Sequence, residues 1–157
     1  MKKISIFVDV QNVYYTSRSA YKKNFDYNKF WAKISAQGTI INAYAYAVDR
    51  NDTKQKQFQT ILRAIGFDVK LKPFIQRADG SAKGDWDVGI TIDMMESAAE
   101  SDLMVLVSGD GDFDILLNKI RSKYQIPVEV YGVPALSAAS LMNAATHFHP
   151  IDDALLL

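Results

Sequence analysis

The sequence predicts a Rossmann-like α/β sandwich: a central, mostly parallel sheet with helices on both faces. Two observations carry this. Short β-branched and aromatic runs alternate along the chain with stretches of helical period. The first run is also apolar on both alternations, as a strand covered on two faces must be. Strand and helix in alternation imply parallel pairing through right-handed crossovers.

Ile4 to Val8 is the central strand and stops at Asp9. Ile40 to Val48 is the second. Its larger residues (Ile40, Tyr44, Tyr46, Val48) and its small ones (Ala43, Ala45, Ala47) suit helices packed at different distances. Phe67 to Phe74 sets Phe67, Val69 and Leu71 against Asp68, Lys70 and Lys72, the pattern of a sheet edge or a strand with one wet face. Leu103 to Val107 and Ile126 to Tyr131 complete the strands. Helices are predicted over Asn28 to Ala36, Asp52 to Ile65 (ended by Gly66), Asp85 to Ala99, Phe113 to Tyr124 and Ser137 to Ala145. The stretch Gln76 to Gly84, with two glycines and mixed charge, reads as a mobile loop beside the site. No internal repeat or low-complexity linker divides the chain, so residues 1–157 are expected to form one domain.

Composition narrows the function. Eighteen basic and eighteen acidic side chains cancel, so no overall field draws the chain to a polyanion, and a nucleic acid must be held by a local patch. The absence of cysteine removes disulfides, thiolate zinc sites and cysteine nucleophiles. The amino-terminal apolar run is too short for an export signal, and no segment approaches a membrane span. A soluble, cytoplasmic protein is expected, without a membrane partner; a homodimer is neither required nor excluded. Missing motifs remove other α/β enzymes. There is no phosphate-binding Walker loop and no Gly-x-Gly-x-x-Gly after the first strand. Gln11 stands where a haloacid-type phosphatase needs its second aspartate. The acids and lysines of a receiver domain fit poorly.

In an open parallel sheet, ligands collect beyond the carboxyl ends of the strands where strand order reverses. Two strands here end in acids, one at Asp9 and one running into Ser108-Gly109-Asp110-Gly111-Asp112. A third acidic group, Asp85 and Asp87, opens a helix that also carries Asp93 and Glu96. Each acid alone has an ordinary reading as a turn former or a helix-start residue. Together they suggest one crevice. Crowded carboxylates repel unless a cation sits among them, and oxygen-only ligation selects a hard ion, Mg²⁺ or Mn²⁺.

Three blocks then resemble the signature of NYN domains, in the LabA-like branch of the PIN-like superfamily. They are Phe7-Val8-Asp9-Val10-Gln11-Asn12-Val13, Lys83-Gly84 with Trp86-Asp87-Val88, and Val107-Ser108-Gly109-Asp110-Gly111-Asp112-Phe113. Order and spacing both match, over most of the chain. Asp85-Trp86 departs from the pattern, standing where an apolar pair is usual. The resemblance implies a PIN-like fold and a Mg²⁺- or Mn²⁺-dependent ribonuclease acting on RNA. It makes Asp9, Asp87, Asp110 and Asp112 the catalytic, metal-holding residues. Asn12 and Ser108 would position ligands or phosphate, and Lys83 would contact phosphate. Asp93, six residues past Asp87, is turned well away around the helix, and a structural role is as good a reading.

Weaker signals stay open. Tyr14, Tyr15 and Tyr21 with Arg18, Lys22 and Lys23 either stack bases or pack a helix with a solvated face. Arg50, Lys54 and Lys56 read as a solvated helix start. His147 and His149 share a face but two ligands do not make a zinc site. Met94, Met95, Met104 and Met142 read as core filler. The rival function is a catalytically silent NYN-fold module that binds RNA or a protein partner.

Overall fold

Lys3–Asp9 (β1) runs through the middle of the sheet because its six residues after Lys3 are all buried, with neighbours on both faces. The computed structural model of the chain describes residues 1–73 and 85–157, and between them the backbone of 75–76 and 82–83. After β1 come the helices Val10–Tyr21 (α1) and Tyr27–Ser35 (α2), then Thr39–Asp49 (β2), Thr53–Ile65 (α3) and Asp68–Pro73 (β3). Ile75–Gln76 (β4) and Ala82–Lys83 (β5) form a small antiparallel pair. Asp87–Ser97 (α4), Leu103–Val107 (β6), Asp114–Tyr124 (α5), Val128–Gly132 (β7), Ala139–Ala144 (α6) and His147–Pro150 (β8) complete the chain.

The large sheet has six strands in the order β3-β2-β1-β6-β7-β8, and every pairing is parallel. The chain winds outward from β1 on one side, then returns to β6 and winds outward on the other. Strand order therefore reverses between β1 and β6, and their carboxyl ends flank the crevice where such sheets bind ligands.

Two layers of helices cover the sheet. The alanines of β2 (Ala43, Ala45, Ala47) pack with Ile4, Ile6 and Val8 under α1, α2 and α3. Tyr44 and Tyr46 pack with Phe7 under α4 on the other face. The size alternation along β2 thus reads out the two layers. Met94 and Met104 are fully buried in the second cluster, as filler. The edge strand β3 tucks Val69 and Leu71 against the first cluster. On its other side the Lys70 ammonium lies 4.5 Å from the Tyr44 ring centre and pairs with Asp93.

Local chemistry sets the helix ends. The Asp26 carboxylate accepts from the Asn28 and Lys29 N–H groups at 3.0 and 3.1 Å and starts α2. Asp52 accepts from the Lys54 N–H at 2.9 Å and starts α3. Gly66 ends α3 at φ 138°, with the Trp31 indole 2.7 Å from where a Cβ would sit, so both backbone and space require glycine.

The structure adds elements to the sequence reading, and the mobile-loop expectation for Gln76 to Gly84 falls largely outside the described residues. Helix α1 begins directly at Val10, with no loop after β1. The sheet has a sixth strand, β8, whose His149 Nε2 lies 2.6 Å from Glu129 Oε1 and whose imidazole stacks on Tyr131 at 4.5 Å. These contacts account for His149 as an edge-strand side chain. The stretch 76–84 is bounded by the β4–β5 ribbon, with Ile75 opposite Lys83 and Gln76 opposite Ala82. The rest of that stretch lies outside the described residues, as does Phe74. Among the described residues no helix is long and apolar enough to cross a membrane.

Candidate metal centre

Asp9 ends β1 and Asp110 follows β6, so the reversal of strand order brings both carboxylates to one crevice. Asp87 is the first residue of α4 and reaches the crevice from the opposite helix layer. One oxygen from each of the three lies within 4.8 Å of the other two. Such a group of carboxylate oxygens could hold a metal ion and suits a hard divalent one.

Two of the three are held from behind. Ser108 is fully buried; its hydroxyl donates to Asp9 Oδ2 at 3.1 Å and accepts from the Asp110 N–H at 3.1 Å. One side chain thereby fixes two of the acids. Asn12 Oδ1 accepts from the Gly109 N–H at 2.9 Å, tying the start of α1 to the loop after β6. Asp110 Oδ1 accepts from the Asp112 N–H at 2.9 Å, which turns its carboxylate.

Electrostatics mark the cost of this crowding. Burial pushes the Asp9 carboxyl up to about 6; the charges of Asp110 and Asp85 add to this, and hydrogen bonds from Ser108 and Asn12 oppose it. Burial also leads the rise of Asp87 to about 7, followed by the charge of Asp110, a hydrogen bond to it, and the charges of Asp85 and Asp9. The Tyr27 phenol is raised by burial and, secondarily, by Asp9, which sets that ring within electrostatic reach of the site.

The other sequence candidates divide. Asp112 stands outside the three-acid group, exposed in the short turn Gly111–Phe113. Ser108 has no exposed surface, and its hydroxyl contacts the Asp9 carboxylate and the Asp110 N–H. The Lys83 side chain lies outside the described residues. Asp93 turns away: its Oδ2 accepts from the Tyr46 hydroxyl at 2.7 Å and pairs with Lys70 at 2.6 Å, clamping α4 onto β2 and β3.

Trp86, the departure from the family pattern, also anchors the site. Its Nε1–H donates to the Ala47 carbonyl at 2.8 Å, its ring lies 5.3 Å from that of Tyr46, and the Lys72 ammonium sits 4.6 Å from its centre. Its own carbonyl accepts from the Ile90 N–H at 2.8 Å, so the residue before Asp87 is joined to the first turn of α4 as well as to β2. The indole needs the space above Gly89, where a Cβ would come within 2.5 Å of Trp86 Cε3. The spacing Trp86-x-x-Gly89 was the available sequence signal. Gly89→Ala gains about 1 kcal/mol of helix propensity but overpacks a rigid ring at a cost of about 1–3 kcal/mol. We expect a net loss near 1 kcal/mol and a fall in melting temperature of roughly 2–4 °C. An unchanged melt would show that the indole is not seated as described.

Fold and cluster together define the class: an α/β protein with a nuclease-type fold and an acidic cluster at the reversal of its strand order. The chain belongs to the NYN domain family, whose model matches residues 3–152, and which lies within the PIN-like nuclease superfamily. It is 29% identical over 162 residues to the low amplitude and bright protein LabA of Synechococcus elongatus, covering 96% of this chain and 84% of that one. A crystal structure of a protein of unknown function from Vibrio parahaemolyticus superposes with a TM-score of 0.95 at 56% identity, covering 99% of this chain and 96% of that one.

Proposed function

We propose that the chain is a metal-dependent ribonuclease that hydrolyses RNA phosphodiester bonds at the aspartate cluster. The observation that carries this reading is the convergence of Asp9, Asp87 and Asp110 oxygens within 4.8 Å, with burial and mutual charge raising two of the three. Three like charges so close are stable together only when neutralised, and the donor set is all oxygen, which fits Mg²⁺ or Mn²⁺. When bound, such an ion supplies Lewis-acid polarisation of the phosphate and a more acidic water.

The chain's own residues do the remaining work. Asp9, Asp87 and Asp110 hold the ion; Ser108 orients Asp9 and Asp110; Asn12 keeps the two strand-end loops in register. Asp112 is proposed as an outer carboxylate, close in sequence but facing solvent, for orienting water. Lys83, two residues before Asp85, is proposed as a phosphate contact.

The test is incubation of single-stranded and hairpin RNA with the native chain, with and without Mn²⁺. Cutting should require the ion and stop on chelation, and Mn²⁺ should raise the melting temperature. If no RNA is cut under any divalent ion although Mn²⁺ raises the melt, the silent binding module takes the place of the enzyme. If the ion has no effect on the melt either, the metal centre itself is refuted.

A further inference from the structure

Beside the metal centre, on the α1–α3 side of the sheet, lies a cavity of about 540 Å³. Its wall begins at Val10 and Gln11, the two residues after Asp9, and crosses to Ala47 and Val48 near the carboxyl end of β2. The cavity therefore opens at the same end of the sheet as the acidic cluster. Its size is within the roughly 300–1,000 Å³ range of small-ligand clefts.

The lining is aromatic on several sides, with Tyr14, Tyr15, Phe25, Tyr27 and Phe58. Two of these rings are out of place for packing. Tyr14 and Tyr15 are 50% and 56% exposed, and they meet each other edge-on at 5.5 Å. On α1 only Val10, Val13 and Ser17 are buried, so the two tyrosines are not part of the core stripe. Arg50 and Lys54 bring positive charge to the wall. Asp52 also lines it, but its carboxylate accepts from the Lys54 N–H at the start of α3. Flat aromatic faces beside cationic side chains fit a base and its phosphate. A neutral chain needs a local grip of this kind.

We infer that this cavity is a base-binding subsite: it takes one unpaired base of a single-stranded RNA whose neighbouring phosphate reaches the Asp9 end of the cleft. The inference rests on the ribonuclease reading for its choice of an RNA strand. A paired base cannot enter, because its faces are stacked and its edge is occupied. The subsite thus selects single strands, loops and frayed ends over duplex.

The experiment is fluorescence anisotropy of a short 5′-labelled oligouridylate with the native chain in chelator, beside the same sequence annealed to its complement. The single strand should bind at least about tenfold more tightly than the duplex, and Tyr14→Ala/Tyr15→Ala should weaken it roughly 10- to 100-fold. Both tyrosines are exposed, so the fold should survive, and the Mn²⁺-induced rise in melting temperature serves as the control. Equal affinity of the double variant and the native chain would overturn the subsite. So would displacement of the strand by uridine 5′-monophosphate at equal concentration, which would assign the cavity to a free nucleotide. Tyrosine-dependent binding without any Mn²⁺-dependent cutting would uphold the subsite and refute the nuclease. Cutting with an unchanged KM in the double variant would do the reverse.

Discussion

Asp9→Asn and Asp110→Asn are each expected to lower the rate of Mn²⁺-dependent RNA cleavage by about 10²–10³-fold or more while the chain stays folded. The amide is nearly isosteric with the carboxylate. It keeps an acceptor for Ser108 Oγ–H at position 9 and for the Asp112 N–H at position 110, but removes a charge from the three that converge. A lost ligand charge weakens the ion's hold and its polarising effect together. Ser108→Ala should have a smaller effect, roughly 10–100-fold, because it removes no ligand and only frees the Asp9 carboxylate to turn and loosens the Asp110 backbone. Asp93→Asn should leave the cleavage rate nearly alone and act on stability, since Asp93 binds Tyr46 and Lys70 rather than the cluster. Cleavage rates measured alongside thermal melts check the series. Cutting that persists undiminished in Asp9→Asn and Asp110→Asn would mean a contaminating nuclease or another site.

Much of this arrangement can be read from the sequence, and the unread parts have physical reasons. Asp9 and Asp110 are visible because each follows a buried strand directly, and a parallel sheet sends such positions to one end. Asp93 could be set aside by helix geometry alone, since six residues leave it about 120° from Asp87 around the axis. The separation of Asp112 from the triad was not readable. Asp110-Gly111-Asp112 looks like a pair, but Asp112 is exposed in a tight turn and contributes its N–H to the Asp110 carboxylate. Helix α1 stayed one of two open readings because its buried stripe is only Val10, Val13 and Ser17, one of them polar, while two tyrosines are exposed. Strand β8 escaped because His147-Phe148-His149-Pro150 is short, half-buried and closed by a proline at the sheet edge. The role of Trp86 depends on where α4 sits over β2, a long-range contact that no local pattern encodes.

The triad also has a role in stability, since acids raised by burial destabilise the ion-free chain at neutral pH. Asp9 and Asp87 lose their protons near pH 6 and 7 when folded and near 3.8 when unfolded. Between those values the folded chain binds more protons than the unfolded one, so its stability falls as pH rises through pH 4 to 7 and then levels. For buried Asp9 the penalty is on the order of 3 kcal/mol. Mn²⁺ needs the deprotonated carboxylates, so its stabilising effect should run the opposite way, near zero at pH 5 and full by pH 8. At a free-ion concentration 100 times the dissociation constant the gain is about 2.7 kcal/mol, or roughly 5–10 °C for a domain of this size. Asp87→Asn should separate the two effects. An amide there removes one repelling charge and can donate to Asp110, so the ion-free variant should melt above the native chain at pH 8 and about equal to it at pH 5. Its response to Mn²⁺ should largely vanish, and cleavage with it. Melts of both chains across pH, with Mn²⁺ and with chelator, measure all of this. An Mn²⁺ shift equal at pH 5 and pH 8, or an Asp87→Asn chain that melts below the native one in chelator at pH 8, would show that the three acids are not the strained, cation-seeking group described.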